Sequence, residues 1–246
     1  MTHDEELARA FDGQAERFSK APLPNDPVAI ANLLQFAALK PDSRVLEAGC
    51  GPGIVAEALL AAGHRVTAVD LSAEMIERAR TRCARFGEKA RLVRAAIADA
   101  PEGPFDAAIS RFVLHHVSDP FDFIKAQARR LRAGGAVIAS DHTTDPDPGR
   151  AAWHQQIEKA RDKTHTRNLT AGELADLFAR AGLERIQLAE DEFQLDFDEW
   201  FDRGTPALDK SEVRKLLQTG SARGFAPGAA GIIRCTRVLI SGLRLA

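Results

Sequence analysis

The chain has 246 residues, 45% apolar and 28% charged, with a formal net charge of -2. That is enough to bury a sizeable core, and neither the charge balance nor any basic block provides an arm for nucleic acid. Cys50, Cys83 and Cys235 are odd in number and scattered, which argues against a disulfide framework or a zinc site; the acidic start MTHDEELARAFDGQ is unlike a signal peptide, and no stretch is long enough to span a bilayer, so a reducing cytoplasm is expected.

The first forty residues, with AERFSKAPLPNDPVAIANLLQFAAL, suggest helices laid across one edge of a core. From Ser43 onward short apolar runs alternate with helical patterns, which points to crossover units on a parallel sheet. A first strand is expected at Arg44 to Ala48, and a helix from about Gly53 to Ala62 with Gly63 as its left-handed cap. A second strand, RVTAVD, ends at Asp70. Ser72 then caps a helix whose Met75, Ile76, Ala79 and Cys83 face inward. RLVRAA, FDAAIS and AVIASD read as the third, fourth and fifth strands. The helix between the last two opens on Asp119 and Pro120 and ends at Gly134 and Gly135. Beyond Asp141 the loop HTTDPDPGR leads to a helical segment bearing Trp153, Ile157 and Ala160, which reads as a lid. Thr170 and Glu173 form a capping box before ELADLFARAG. The strand-like ERIQLA, a short helical piece around Trp200 and a final strand GIIRCTRVLISGL complete the chain.

The stretch RVLEAGCGPGIV carries the chemistry. A strand that runs into glycines and then a helix offers backbone N–H groups and a surface bare of side chains at the carboxyl end of the sheet, where open α/β folds bind ligands. A dinucleotide site wants glycines at the first, third and sixth positions, but Gly49 and Gly51 are followed by Gly53, with Ile54 sixth. Glu47 would also repel a pyrophosphate, whereas it would attract a ligand with positive charge, such as the sulfonium and ammonium of S-adenosylmethionine. Asp70 stands 21 positions beyond Gly49 (70 − 49), where an acid accepts hydrogen bonds from ribose hydroxyls.

VLEAGCGPG, VTAVDLSAEMIERAR, FDAAISRFVLHHVSDP and LRAGGAVIASD, in this order, resemble the successive motifs of the class I S-adenosylmethionine-dependent methyltransferases, and within them the small-molecule branch related to ubiquinone and menaquinone biosynthesis. The likeness runs from about Phe11 to Gly182. It implies a doubly wound, seven-stranded, mostly parallel α/β sheet of Rossmann-like methyltransferase type, its last strand antiparallel. Residues 1–246 would form one methyltransferase domain: covering helices over 1–40, a cofactor-binding core over 41–143, a lid over 144–170, and a C-terminal helix and last strands over 171–246. Carried over, Ala48, Gly49 and Gly51 lie under the methionine half of the cofactor beside Glu47. Asp70 then binds the ribose, Leu71 and Met75 pack on the adenine, Ala96 and Ile97 or the later Asp99 border it, and Arg111 brings its backbone to the methionine moiety.

The implied activity is methyl transfer to O, N, C or S of a small metabolite, chiefly by positioning and desolvation. A nicotinamide-dependent oxidoreductase and a non-catalytic cofactor-binding subunit are the alternatives. Phe11, Phe18, Phe112 and Trp153 in the covering segments suggest an apolar or aromatic acceptor. Where the acceptor must lose a proton, His165, His116 and His142 are the candidate general bases, with His165 placed first because it sits with Arg167 in the lid segment. No histidine spacing suggests a metal. A small-molecule partner is expected, with no nucleic acid and no membrane, and the sequence leaves a homodimer open.

Overall fold

The computed structural model describes residues 2–245. Two helices precede the sheet: α1 (His3–Lys20) and α2 (Pro27–Ala37). Then β1 (Arg44–Ala48), α3 (Ile54–Ala61), β2 (Arg65–Asp70), α4 (Ala73–Cys83) and β3 (Ala90–Arg94) form one half, and β4 (Phe105–Arg111), α5 (Pro120–Arg129) and β5 (Leu131–His142) begin the other. They are followed by α6 (Pro148–Arg161), α7 (Ala171–Arg180), β6 (Glu184–Asp196), α8 (Phe197–Arg203), α9 (Lys210–Leu217), β7 (Phe225–Pro227) and β8 (Ile232–Leu243).

The sheet has eight strands where seven were expected. Seven run in the order β3-β2-β1-β4-β5-β8-β6, and the three-residue β7 is the eighth, added alongside β8. β8 is antiparallel to both β5 and β6, and the pairings among β1 to β5 are parallel. Strand order reverses between β1 and β4, and the crevice at such a switch point is where an α/β sheet takes its ligand.

Alternation along the central strands builds a core on each face. Leu46, Ala108, Val137 and Val238 meet Phe123 and Ile124 of α5 and Leu174 and Phe178 of α7. Their neighbours Val45, Ala107, Ile109 and Ile138 meet Leu33 of α2, Leu59 of α3 and Ile76 of α4. Both faces are covered, so these strands read as nearly unbroken apolar runs. A third cluster lies apart: α6, α8 and α9 pack Ile157, Trp200, Phe201 and Val213 on Leu195, Phe225, Ile233 and Cys235, from the ends of β6, β7 and β8.

Several boundaries differ from the sequence reading. The helix after Asp119 ends at Arg129, and β5 starts at Leu131, so Gly134 and Gly135 lie inside a strand whose pairing with β4 shifts register between Phe105 and Ala107. β6 extends to Asp196 because β8 pairs with it along nearly its whole length. The segment read as a lid, α6, belongs to the third cluster: the ring of Trp153 meets Phe225 at 6.0 Å, and its Nε1 donates to Thr219 Oγ1. No helix among the described residues is long and apolar enough to cross a membrane.

Candidate active site

β1 delivers Glu47 to the switch point, and the following loop is fixed by its own amides. Gly49 N and Cys50 N both donate to Val69 O, at 2.9 and 3.0 Å, and Gly51 N donates to Asp70 Oδ2 at 2.8 Å. Asp70 Oδ1 accepts from Ser72 N at 2.9 Å, so the acid that ends β2 shapes the glycine loop and the start of α4 together. Gly49 has φ 71° and Gly51 φ 51°, angles that other residues resist. A Cβ on Gly49 would lie 2.6 Å from Val113 Cγ2, so close packing against the β4–α5 turn favours glycine here. A Cβ on Gly51 would face Phe18 and the Met75 sulfur at 3.9 and 4.0 Å, across the cavity.

That cavity encloses about 350 Å³, within the range of small-molecule sites. Glu47, Gly49, Gly51, Asp70, Leu71, Met75, Ala96, Ile97 and Arg111 all line it. Ala48 does not; it is fully buried in the core under β1. Asp99 is exposed on the short 3-10 turn Ile97–Asp99 and also stands outside, so the wall here is made by Ala96, Ile97 and Ala98. Arg130 holds that wall in place, its guanidinium donating to Ala98 O at 2.7 Å and to Ala100 O at 3.0 and 3.1 Å.

The roof comes from α1, not from residues 144–170, none of which lines the cavity. Asp4, Leu7, Phe11 and Phe18 present one helical stripe to it. Asp12 Oδ1 clasps the helix down by accepting from Ser72 Oγ at 2.6 Å and Glu74 N at 3.2 Å. Arg111 ties the next loop, donating to Pro24 O at 2.8 Å and Leu23 O at 3.3 Å. Of the four aromatics expected over the site, Phe11, Phe18 and Phe112 line the cavity and Trp153 does not.

The turn after β4 forms the remaining wall under strain. Phe112 has φ 59°, a left-handed backbone that costs a residue with a side chain about 1–2 kcal/mol. Asp141, at the end of β5, holds the turn: Oδ2 accepts from Leu114 N at 2.7 Å, and Oδ1 meets His115 Nδ1 at 2.5 Å. Burial opposes a charge on His115, but the Asp141 charge and hydrogen bond outweigh it and raise the pKa. Burial and then the neighbouring His115 charge lower His116 and His142, each to about 3.

The three candidate bases separate. His116 lines the cavity, its ring edge-on to Phe11 at 5.0 Å. His142 is held outside, 4.8 Å from Phe112 and 5.1 Å from Phe193. His165 is buried and does not line the cavity; its Nε2 lies against Gln155 Oε1 of α6 at 2.8 Å, and its ring stands 5.7 Å from that of His115 and 6.5 Å from that of His116. Among the described residues no group of His, Cys, Asp and Glu is arranged to hold a metal ion.

The donors fit S-adenosylmethionine. Buried Glu47 has no partner on Oε2; burial first, and then Asp70, push its carboxyl up to about 8. A cationic ligand relieves both costs, and an anionic pyrophosphate aggravates them. The methyltransferase-domain family model matches residues 25–188. The chain belongs to the class I S-adenosylmethionine-dependent methyltransferases. It is 33% identical over 153 residues to the ubiquinone biosynthesis O-methyltransferase of Xanthomonas campestris pv. campestris, which covers 58% of this chain. The chain thus spans 63% of that relative's length. The methyltransferase YcgJ of Bacillus subtilis is 25% identical over 193 residues, covering 77% of this chain and 76% of its own. Its crystal structure superposes with a TM-score of 0.79 at 23% identity, over 89% of this chain and 99% of that one. Geranyl diphosphate C-methyltransferase from Streptomyces coelicolor shares the fold, with a TM-score of 0.69 at 18% identity over 100% and 99% of the two chains.

In this methyltransferase the residues outside sequence reach are those whose partners lie far along the chain. Asp12, Val113 and Arg130 give no local signal. Asp12 looks like one more charge on an acidic helix, and Arg130 like an ordinary basic helix end.

Proposed function

We propose that the protein transfers the methyl group of S-adenosylmethionine to an oxygen or nitrogen of a small, largely apolar or aromatic metabolite, in a reducing cytoplasm. The observation that carries this reading is a single cavity lined both by Glu47, Asp70 and the glycine loop and by Phe11, Phe18, Phe112 and His116. When bound, the cofactor supplies an electrophilic methyl group on a sulfonium. Glu47 answers its positive charge, and Asp70 keeps lone pairs for ribose hydroxyls beyond those given to Gly51 N and Ser72 N. Leu71, Met75 and Ile97 flank the adenine with the backbone of Ala96, while Gly49, Gly51 and Arg111 border the methionine half.

The acceptor end has aromatic walls and few polar groups, so the protein's main work is to hold the acceptor in line with the methyl group and to keep water out. Such positioning can contribute about 7–11 kcal/mol toward the barrier. Of the three candidate histidines, His116 is the one this reading keeps at the acceptor, since His142 and His165 are outside the cavity. Incubation with S-adenosylmethionine and a panel of phenols and aromatic amines, followed by mass spectrometry for methylated product and S-adenosylhomocysteine, tests the reading. Tight S-adenosylhomocysteine binding with no product from any acceptor would favour a non-catalytic binding subunit.

A further inference from the structure

His116 is held by one nitrogen only. Its Nδ1 faces the loop after α6, 3.0 Å from Thr164 Oγ1 and 3.2 Å from Thr164 O. The Thr164 hydroxyl has a single proton, and its shortest contact is to Asp162 Oδ1, at 2.7 Å; the same oxygen accepts from Thr164 N at 3.0 Å. With that proton given to the carboxylate, both Thr164 atoms near His116 can only accept. Nδ1 must therefore carry the ring proton. Nε2 forms no hydrogen bond among the described residues and is not among the buried unpartnered atoms, while the ring lines the cavity.

We propose that Asp162, acting through Thr164, is a positioning residue that fixes His116 with its proton on Nδ1, so that the bare lone pair of Nε2 faces the cavity as the acceptor for a ligand O–H or N–H. The tautomer follows from the protein alone; the identity of the donor rests on the methyltransferase reading above. In that reaction the methyl group would leave its sulfonium sulfur, with S-adenosylhomocysteine as the leaving group, and bond to the acceptor atom; that atom's O–H or N–H bond breaks, and the proton passes to Nε2 and on to solvent after the product departs. An acceptor that bears a proton is then preferred to a tertiary amine. Other groups crowd the same ring: His115 at 4.1 Å between centroids, His165 at 6.5 Å, Asp141 from β5, and His3 of α1, whose Nε2 donates to the His116 carbonyl at 2.7 Å. None of them contacts Nδ1.

The test is two-bond proton–nitrogen correlation NMR of histidine-labelled protein saturated with S-adenosylhomocysteine, with His116→Gln assigning the resonances. The wild type should show Nδ1 protonated and Nε2 bare. In Asp162→Ala the Thr164 hydroxyl loses its acceptor and can donate to Nδ1, so the ratio of tautomers should move at least about tenfold toward Nε2–H. Adding Thr164→Val should reverse the change, because no hydroxyl proton is left to compete while the carbonyl still accepts; a merely structural role for Asp162 would not be rescued by a second substitution. Nε2–H in the wild type, or an Asp162→Ala spectrum like that of wild type, overturns the proposal. If Asp162→Ala fails to fold, the wild-type tautomer still decides. Calorimetry with S-adenosylhomocysteine separates the two readings: absence of binding by the wild type would sink the methyltransferase reading and leave the tautomer result standing.

Discussion

Glu47 and Asp70 share the foot of the glycine loop, and each couples ligand binding to a measurable quantity. Glu47 is pushed up to about 8 from 4.5, so the ligand-free fold holds a proton that the unfolded chain has already lost across that interval. Its sign is therefore destabilising: stability should fall as pH rises from about 4.5 through about 8, and thermal melts of Glu47→Gln should lack that slope. A cationic ligand prefers the ionised form, so binding expels the proton. Affinity for S-adenosylmethionine, which carries the sulfonium, should rise by up to about tenfold per pH unit below pH 8 and level off above it. Calorimetry in buffers of different ionisation enthalpy reads the released proton directly, and Glu47→Gln should release none. Asp70→Ala removes the acceptor for two loop amides as well as for the ligand. A loss of about 1.5–3 kcal/mol in binding is expected, with Asp70→Asn intermediate. Both acids are legible in the sequence, Glu47 because its strand runs straight into glycines and Asp70 because it closes the second strand 21 positions beyond Gly49 (70 − 49). The choice among the histidines is not legible, since it depends on which ring reaches the cavity, and His116 is held there by Thr164, 48 residues farther along the chain.

Helix α1 is the element on which access depends. It fully buries only Leu7, Gln14 and Ala15, yet it roofs the cavity and is joined to the sheet side by Asp12. Asp12→Ala should leave the fold intact and speed release of S-adenosylhomocysteine by roughly tenfold, the scale of one hydrogen bond to a charged group; stopped-flow displacement measures it. An unchanged dissociation rate would place the gate elsewhere. The sequence announces α1 and α6 equally well as amphipathic helices, but periodicity shows only that a stripe is apolar. It does not show which surface that stripe meets. Phe11 and Phe18 meet the ligand cavity, whereas Ile157 and Ala160 meet Trp200 and Phe201. Strand lengths were hidden for a related reason: charges along both faces of β6 mask its alternation, and only pairing with β8 sets its extent.

Across the whole molecule, the cavity and the third cluster are built from different residues that adjoin at the Leu23–Pro24 turn, where Leu23 packs on the cluster and Pro24 lines the cavity. Trp200 is 2% exposed in that cluster and is not among the residues that line the cavity. Trp200→Ala should cost about 3–5 kcal/mol and raise hydrogen exchange in α8 and α9 first, while S-adenosylhomocysteine affinity at low temperature changes only a few-fold. A collapse of binding in parallel with the loosened helices would show that the two parts open as one unit. The doubly wound half is the readable one, because its strands alternate regularly with helices and the glycine loop follows its first strand. The other half joins segments far apart in sequence. β8 lies between β5 and β6, though it is the last of the three to be synthesised. On the ribosome, β5 therefore waits with a bare edge, and β6 emerges with nothing to pair with. A nascent chain halted at residue 231 should stay bound to a holdase chaperone, and one that has exposed residue 243 beyond the exit tunnel should let it go.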